Sequence, residues 1–485
     1  MWGTAARALR GFEFPAGTVD EAWKAVLLNQ FHDIIPGSSI HRVYEEAEAA
    51  YADVIQTAGA VADQATAALT DDSRAVTVFN SLSWERTALL PLPEGFEGAT
   101  DETGNPLPTQ VVDDAMWVEA TVPSCGWTTL YPASASEPTN TLKATPHLLE
   151  NDVVRLTFDD QGTITSILDK ESGRELAAGP CNNLKMYRDV PSSFDAWDID
   201  SMYPLTPVEL DEPASIEVVA AGPLVARLRV TRRLHDSTLT QEISLRRGSR
   251  RVDFHTVVDW QESHKLLKVD FPVTVHANEG VHEIQFGHIR RPNHKSRPFD
   301  ADRFEVCNHK WTALMEENRG CAVLNDSKYG VNVAGNSINL TLLKSALAPD
   351  MSADRGRQEF TYAFYAWNGP FAGSPIVREA YELNCAVTTA PGAAGEESLF
   401  AVDAPNVVIE TVKPAEDGSP DVVVRAYEAK RTATRCTLTT SLPAVGAAQT
   451  DMLESIQHEL PYKHGTVDLA FRPFEVKTIR LRMAS

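Results

Sequence analysis

No two cysteines in this 485-residue chain stand at C-x-x-C spacing. The six, Cys125, Cys181, Cys307, Cys321, Cys385 and Cys436, are scattered along it. That distribution speaks against a disulfide framework and still more against a thiolate metal site. Apolar runs are short as well, and none approaches the ~20 residues a membrane-spanning helix needs. The opening stretch, MWGTAARALRGFEF, lacks the continuous apolar core of a secretory signal, so the cytoplasm is the expected compartment. Positive charge is scarce: 44 Lys and Arg against 67 Asp and Glu leave a net charge of −23. Nucleic-acid backbones and anionic membranes reward clusters of Lys and Arg, so neither is expected as a partner. A neutral substrate such as a sugar is unaffected by that imbalance. What remains is an ordinary globular composition, 43% hydrophobic and 23% charged, in a chain longer than one hydrophobic core supports. Two to four domains are expected.

Residues 18–69 read as helical. Thr18-Val19-Asp20-Glu21 fits a capping box, a hydroxyl at the cap and a carboxylate three residues on. Val19, Trp23, Val26 and Leu27 then recur at helical spacing. Pro36-Gly37 is expected to stop this first helix. A second one follows Ser38-Ser39, with Ile40, Val43, Tyr44, Ala47, Tyr51, Val54 and Ile55 on one face. Its alanine-rich continuation, TAGAVADQATAAL, suits close helix packing.

From Ala75 onward the texture changes. Ala226, Leu228 and Val230 alternate with Arg227, Arg229 and Thr231, the period-two pattern of a half-buried strand. AVTVF, TQEISL, RVDFHTVVDW, LKVDFPVTV, VHEIQF and VVVRAYEA continue the series, separated by turn signals such as Asp160-Gln161-Gly162 and Asn368-Gly369-Pro370. So many strands with so few helices imply antiparallel sheets packed as sandwiches, not a βαβ fold. The Arg-rich RLRVTRRL is expected to show its basic residues on one solvated sheet face. PASASEPTNT (132–141) reads as a linker, and a second shift of composition, TTAPGAAGEES (388–398), marks another.

His32-Asp33 is the conspicuous pair. At a helix end a histidine can satisfy free carbonyls and respond to the negative end of the dipole. The same negative end favours a bound cation, for which a neutral imidazole is a common ligand. One histidine cannot hold a metal, and no HxxxH or HxH accompanies it. FDAWDID (194–200) is open in the same way. Aromatic rings flanked by carboxylates grip sugars, but a loop with Trp197 buried and Asp195, Asp198 and Asp200 solvated or capping fits the pattern too.

The run LLNQFHDIIPGSSIHRVYEEA (27–47) resembles the segment that follows the catalytic barrel in glycoside hydrolase family 38 α-mannosidases, of the bacterial and cytosolic type. VFNSLSWERT (78–87), LENDVVRLTFDDQGTITSILDKESGREL (149–176), FDAWDID, HKLLKVDFPV, IQFGHIRRPNH and ADRGRQEFTYAFY extend the likeness along most of the chain. It implies a mainly β fold with an N-terminal helical bundle: a helical segment 1–72, a small β-sandwich domain 73–135, a large galactose-mutarotase-like sandwich 142–390 and a C-terminal sandwich 398–485. It implies a retaining α-mannosidase acting on terminal α-linked mannose of oligosaccharides, with His32 as a ligand to zinc, or alternatively cobalt, and Asp33 lining the sugar pocket. The family's other metal ligands, its nucleophile and its general acid belong to an α/β barrel, expected to precede Met1. Positions matching them do not occur here, so no catalytic residue is expected within the chain itself. The barrel is the expected partner, and a homo-oligomer is possible. The alternative reading is a non-catalytic carbohydrate-binding or structural β-sandwich module.

Overall fold

The computed structural model describes residues 1–484. Strands account for 46% of residues and helices for 14%, the mainly β architecture expected from the alternating runs. Three helices lead: α1 (Trp2–Arg10), α2 (Ala16–Leu28) and α3 (His41–Ala67). α2 begins before the capping box, because the Val19 N–H already bonds the Pro15 carbonyl at 3.1 Å. Thr18 therefore lies inside the first turn and cannot cap it. The apolar positions of α2 are not buried either: the helix buries no residue, and Trp23 and Leu27 are 61% and 64% exposed.

The chain forms two compact units that cut across the expected segments. One comprises Met1–Trp23, Asp53–Pro138 and the chain from Cys385 on; the other comprises Lys24–Ala52 and Thr139–Asn384. The break at Pro138 falls in the PASASEPTNT stretch.

In the first unit, Val76–Asn80 pairs antiparallel with Gly126–Ala133 and with Thr388–Pro391, and Arg86–Pro91 pairs with Ala115–Val122. Their inward side chains, Val78, Leu90, Val118, Val122 and Leu130, make a small core. The TTAPGAAGEES stretch is thus not a spacer. Its first residues complete a sheet, and Glu397–Ser398 pairs with Gly126–Ala133, because an unpaired edge so close to Val76–Asn80 would leave backbone groups unsatisfied. A second pair of sheets runs through Val407–Pro414, Val422–Glu428 and Val476–Met483 on one side and Thr434–Thr440 and Thr466–Phe471 on the other. Val424, Leu438, Phe471, Ile479 and Leu481 fill the space with Trp2 and Ala5 of α1.

The second unit is built on a nine-stranded and a six-stranded antiparallel sheet. Strands such as Val225–Leu234, Ser237–Arg246 and Arg251–Trp260 alternate buried and half-exposed residues along their length. Leu228, Ile243, Phe254 and Phe364 meet Leu267, Val269, Phe271 and Leu340 in one core. Phe271 lies 5.8 Å from both Phe254 and Phe364, tying the layers with ring contacts. The Arg-rich strand departs from the expected single solvated face. Arg227 and Arg229 do pair with Glu242, but Arg232 is buried and donates to the Leu210 carbonyl at 2.9 Å. Its place on the inward register decides this, since period-two geometry sends Leu228, Val230 and Arg232 to the same side.

Gly320 stands opposite Trp367 in adjacent strands, and a Cβ there would lie 2.2 Å from the indole. Gly320→Ala is therefore expected to lower stability by roughly 1–3 kcal/mol through overpacking, seen as a fall in the thermal midpoint.

Candidate functional site

α2 ends at Leu28, four residues before His32. Beyond it the N–H groups of Gln30 and Phe31 bond the carbonyls of Leu27 and Leu28, three residues back instead of four. Pro36, without a donor, and Gly37, at φ 80°, keep the helix from resuming. His32 therefore does not occupy a helix's last turn, as the sequence suggested, but a series of tight turns outside it. A carbonyl-capping role has no geometry to support it. The imidazole is 72% exposed; among the described residues its polar neighbour is the adjoining carboxylate, His32 Nε2 to Asp33 Oδ2 at 3.4 Å, with the Phe31 ring 4.3 Å from its own.

The turn itself is fixed from below. The Asp33 carbonyl accepts from the Ser38 hydroxyl at 3.4 Å and the Tyr44 hydroxyl at 3.3 Å, while Tyr44 accepts the Ser39 N–H at 2.6 Å. Tyr44, in the first turn of α3, and Ser38 just before it thus hold the backbone, leaving the His32 side chain exposed and that of Asp33 partly so. As a metal site the pair offers one imidazole and one carboxylate, too few to hold an ion in fixed geometry. Among the described residues one group of three His, Cys, Asp or Glu ligand atoms gathers closely enough, His235, Asp236 and Glu262, and it includes neither His32 nor Asp33. Glu262 there receives the Asp236 N–H at 2.8 Å and the Ser237 hydroxyl at 3.0 Å, so it braces a hairpin turn.

Beside the turn opens a cleft of about 270 Å³, lined by Pro36, Gly37, His41, Tyr44, Glu48, Lys344, Asp350 and Asp354 among others, with Ala196 at its wall. Ala196 belongs to FDAWDID. Contrary to the buried-tryptophan reading, Trp197 is 53% and Phe194 73% exposed. The reason is how the loop is tethered. Asp195 turns inward, accepting from the Leu347 N–H at 2.7 Å and the Ala348 N–H at 3.2 Å and meeting His264 Nε2 at 3.0 Å. Burial pushes its carboxyl up, but these donors outweigh that and hold it below the usual carboxylate range. With Asp195 taking the interior, the rings on either side are left in solvent.

Asp189 and Lys344 were not singled out in the sequence, nor were His41 and Asp350. No local signal marks them, because partners such as Asp189 and Lys344 lie 155 residues apart. His41 Nδ1 meets Asp350 Oδ2 at 3.2 Å, and that hydrogen bond raises the imidazole above its ordinary value of about 6.5. Burial raises the Asp350 carboxyl, but Ser352 and His41 outweigh it and bring it below the usual range. The stabilisation from the raised His41 is fully present below about pH 6.5 and is lost as pH rises through the folded value. That from the lowered Asp350 is present above about pH 4 and is lost as pH falls through its folded value. NMR titration is expected to place the His41 pKa above 6.5, and Asp350→Asn to return it towards that value.

Comparison with known proteins agrees with this architecture. Residues 1–69 match the α-mannosidase middle domain, 149–352 the glycosyl hydrolases family 38 C-terminal domain and 406–479 the family's C-terminal β-sandwich domain. The chain is 36% identical to alpha-mannosidase 2C1 of Mus musculus over 98% of its length and 46% of that protein's. It is 29% identical to alpha-mannosidase G of Dictyostelium discoideum over 97% of its length and 48% of that protein's. It thus spans about half the length of the curated relatives it matches. A solved α-mannosidase from Enterococcus faecalis V583 superposes with a TM-score of 0.81 over 99% of this chain and 65% of its own, at 18% identity, a likeness of fold. The chain belongs to glycosyl hydrolase family 38, of which it carries the middle and C-terminal domains.

Proposed function

We propose that the chain forms part of a metal-dependent, retaining α-mannosidase that removes terminal α-linked mannose from oligosaccharides, contributing the metal ligand His32 and the sugar-facing carboxylate Asp33. The observation that carries this reading is an outward-facing imidazole and carboxylate on a turn pinned by Ser38 and Tyr44, in a chain similar to α-mannosidases along 98% of its length. Zinc suits a neutral imidazole, and cobalt is the alternative. Such an ion would supply a charge clamp on the hydroxyls of the reacting ring.

This chain's own residues position and bind. Tyr44 and Ser38 fix the Asp33 backbone, and the Asp33 carboxylate accepts sugar hydroxyls. A retaining glycosidase needs two carboxyl groups flanking the scissile bond, and we assign both, with the remaining metal ligands, to residues outside this sequence. The relatives, about twice as long, have room for them. The exposed apolar side chains support this: Leu27, Leu28, Phe31, Ile35 and Ile40 are each more than half exposed, as side chains that a further domain covers would be. No helix among the described residues is long and apolar enough to cross a membrane. Six free thiols suit a reducing cytoplasm.

His32→Ala in the full-length enzyme is expected to lower metal content and turnover of an aryl α-mannoside together, by 100-fold or more, since even outer partners of metal ligands are worth about 10–100-fold. Near-normal metal and rate would instead favour the non-catalytic sandwich module. The 485-residue chain alone is expected to show no turnover, and EDTA to leave its thermal midpoint unchanged, because a lone imidazole binds metal weakly.

A further inference from the structure

The charged groups around the cleft are paired, and one pairing reaches the turn that carries His32 and Asp33. Asp350 stands between the strands Ser337–Lys344 and Gly356–Asn368, and its carboxylate is 6% exposed. Its Oδ1 accepts the Ser352 N–H at 2.8 Å and the Ser352 hydroxyl at 2.9 Å. That fixes the carboxylate and turns Oδ2 to His41 Nδ1 at 3.2 Å. His41 is the first residue of α3, and Tyr44 follows three residues on. The Tyr44 hydroxyl donates to the Asp33 carbonyl at 3.3 Å and accepts the Ser39 N–H at 2.6 Å. A path of hydrogen bonds joined by one helical turn thus runs from the sandwich to the Asp33 backbone, within one compact unit. Pro36, Gly37, His41, Tyr44 and Asp350 all line the same cleft.

The helical segment depends on such ties. Among the described residues from Lys24 to Ala52, Asn29, Ser38 and Ala47 alone are buried, so apolar packing supplies little of its support. The tie at His41 also responds to protons. Carboxylates face both ring nitrogens: Asp350 at Nδ1, and Glu45 3.7 Å from Nε2, with Glu48 further along α3. Asp354 lines the cleft as well. The cations there are engaged elsewhere, Lys344 with Asp189 and Arg355 with Ser263. The hydrogen bond to Asp350 and its charge, then Glu45 and Glu48, raise the imidazole above its ordinary value of about 6.5. Protonated, the ring forms an ion pair with Asp350. Once neutral, it keeps at most a hydrogen bond.

We propose that His41 and Asp350 position the His32–Asp33 turn through Tyr44, and that their ion pair ties the geometry of that turn to pH. With the ring protonated, the first turn of α3 is held to the sandwich. With the ring neutral, it is released more often. The effect on metal affinity rests on the mannosidase reading, whereas the tether itself does not. Its sign sets it apart. Proton competition lets an imidazole site bind metal more tightly as pH rises. The tether acts the other way, favouring the binding geometry as pH falls, so the two together flatten the response of the site to pH.

Two measurements test it. First, hydrogen–deuterium exchange of residues 29–44 in the 485-residue chain is followed at about pH 6 and about pH 8.5, corrected for intrinsic exchange. In the parent, protection is expected to be roughly fivefold higher or more at the lower pH. Asp350→Asn should reduce it to one value at both, and Tyr44→Phe should reduce it at both. Glu46→Gln, which breaks the exposed Arg42–Glu46 pair, should match the parent. Equal parent protection at the two pH values, or a pH response kept in Asp350→Asn, overturns the tether. Second, metal affinity of the full-length enzyme is measured by chelator competition. Asp350→Asn should bind metal roughly fivefold more weakly than the parent at about pH 6, and equally at about pH 8.5. A loss equal at both overturns the proton dependence, and no loss at either overturns the positioning. A full-length enzyme that binds no metal overturns the mannosidase reading, and the exchange measurement still decides the tether.

Discussion

One buried carboxylate organises the candidate site. Asp189, with no exposed side-chain surface, sits where the strand Asn183–Arg188 leaves the six-stranded sheet and where Ser337–Lys344 ends. A lone carboxylate there would be untenable, and its partners are those that shape the surroundings: Lys344 from one strand and the Asp200 N–H from the far end of the aromatic loop. Removing one member of a buried pair typically costs about 3–5 kcal/mol, because the other charge is left stranded. The loop, the wall of the cleft and the segment carrying Asp350 are therefore coupled through one electrostatic requirement. The sandwich beneath supplies the rigidity. Its core carries a closed polar chain as well, in which Gln241 bridges Asn182, Thr256 and Tyr362 at 2.8–2.9 Å, so the strands on which these groups stand are fixed in register.

Around His32 the opposite condition holds. α2 and the turns after it expose large apolar side chains that the described residues do not cover, in contrast to the fully buried Phe254, Phe271 and Tyr362 of the neighbouring core. A helix normally gains most of its stability from burying its apolar stripe. α2 has the stripe without a partner. The His32–Asp33 pair therefore sits at the margin of an unsatisfied surface. The backbone of the pair is fixed from behind by the hydroxyls of Tyr44 and Ser38.

Much of the architecture could be read from the sequence. Alternation in ARLRVT, RVDFHTVV and LKVDF is a local consequence of period-two geometry, so strands, antiparallel sheets and sandwiches followed from it. His32 and Asp33 were singled out by residue type and by the likeness of QFHDIIPGSS to a known family, and the structure sets them side by side on a turn. Errors arose where a distant partner overrides a local preference. The capping box at Thr18 is a local exception, lost to a helix already started at Pro15. The apparent spacer after Thr388 became strands because a sheet edge was waiting for it. Arg232 went inward because register outranks charge. Trp197 stayed outside because Asp195 found the interior donors first.

What the sequence by itself determined was which face of each strand is apolar, since that depends on side chains and on neighbours two positions away. The tertiary structure decided which groups meet. Asp189 with Lys344, His41 with Asp350 and Asp195 with His264 are separated by 155, 309 and 69 residues, and no local pattern encodes such pairings. They arise because folding buries charged groups, and a buried charge must find its counterpart wherever the packed sheets bring one within reach.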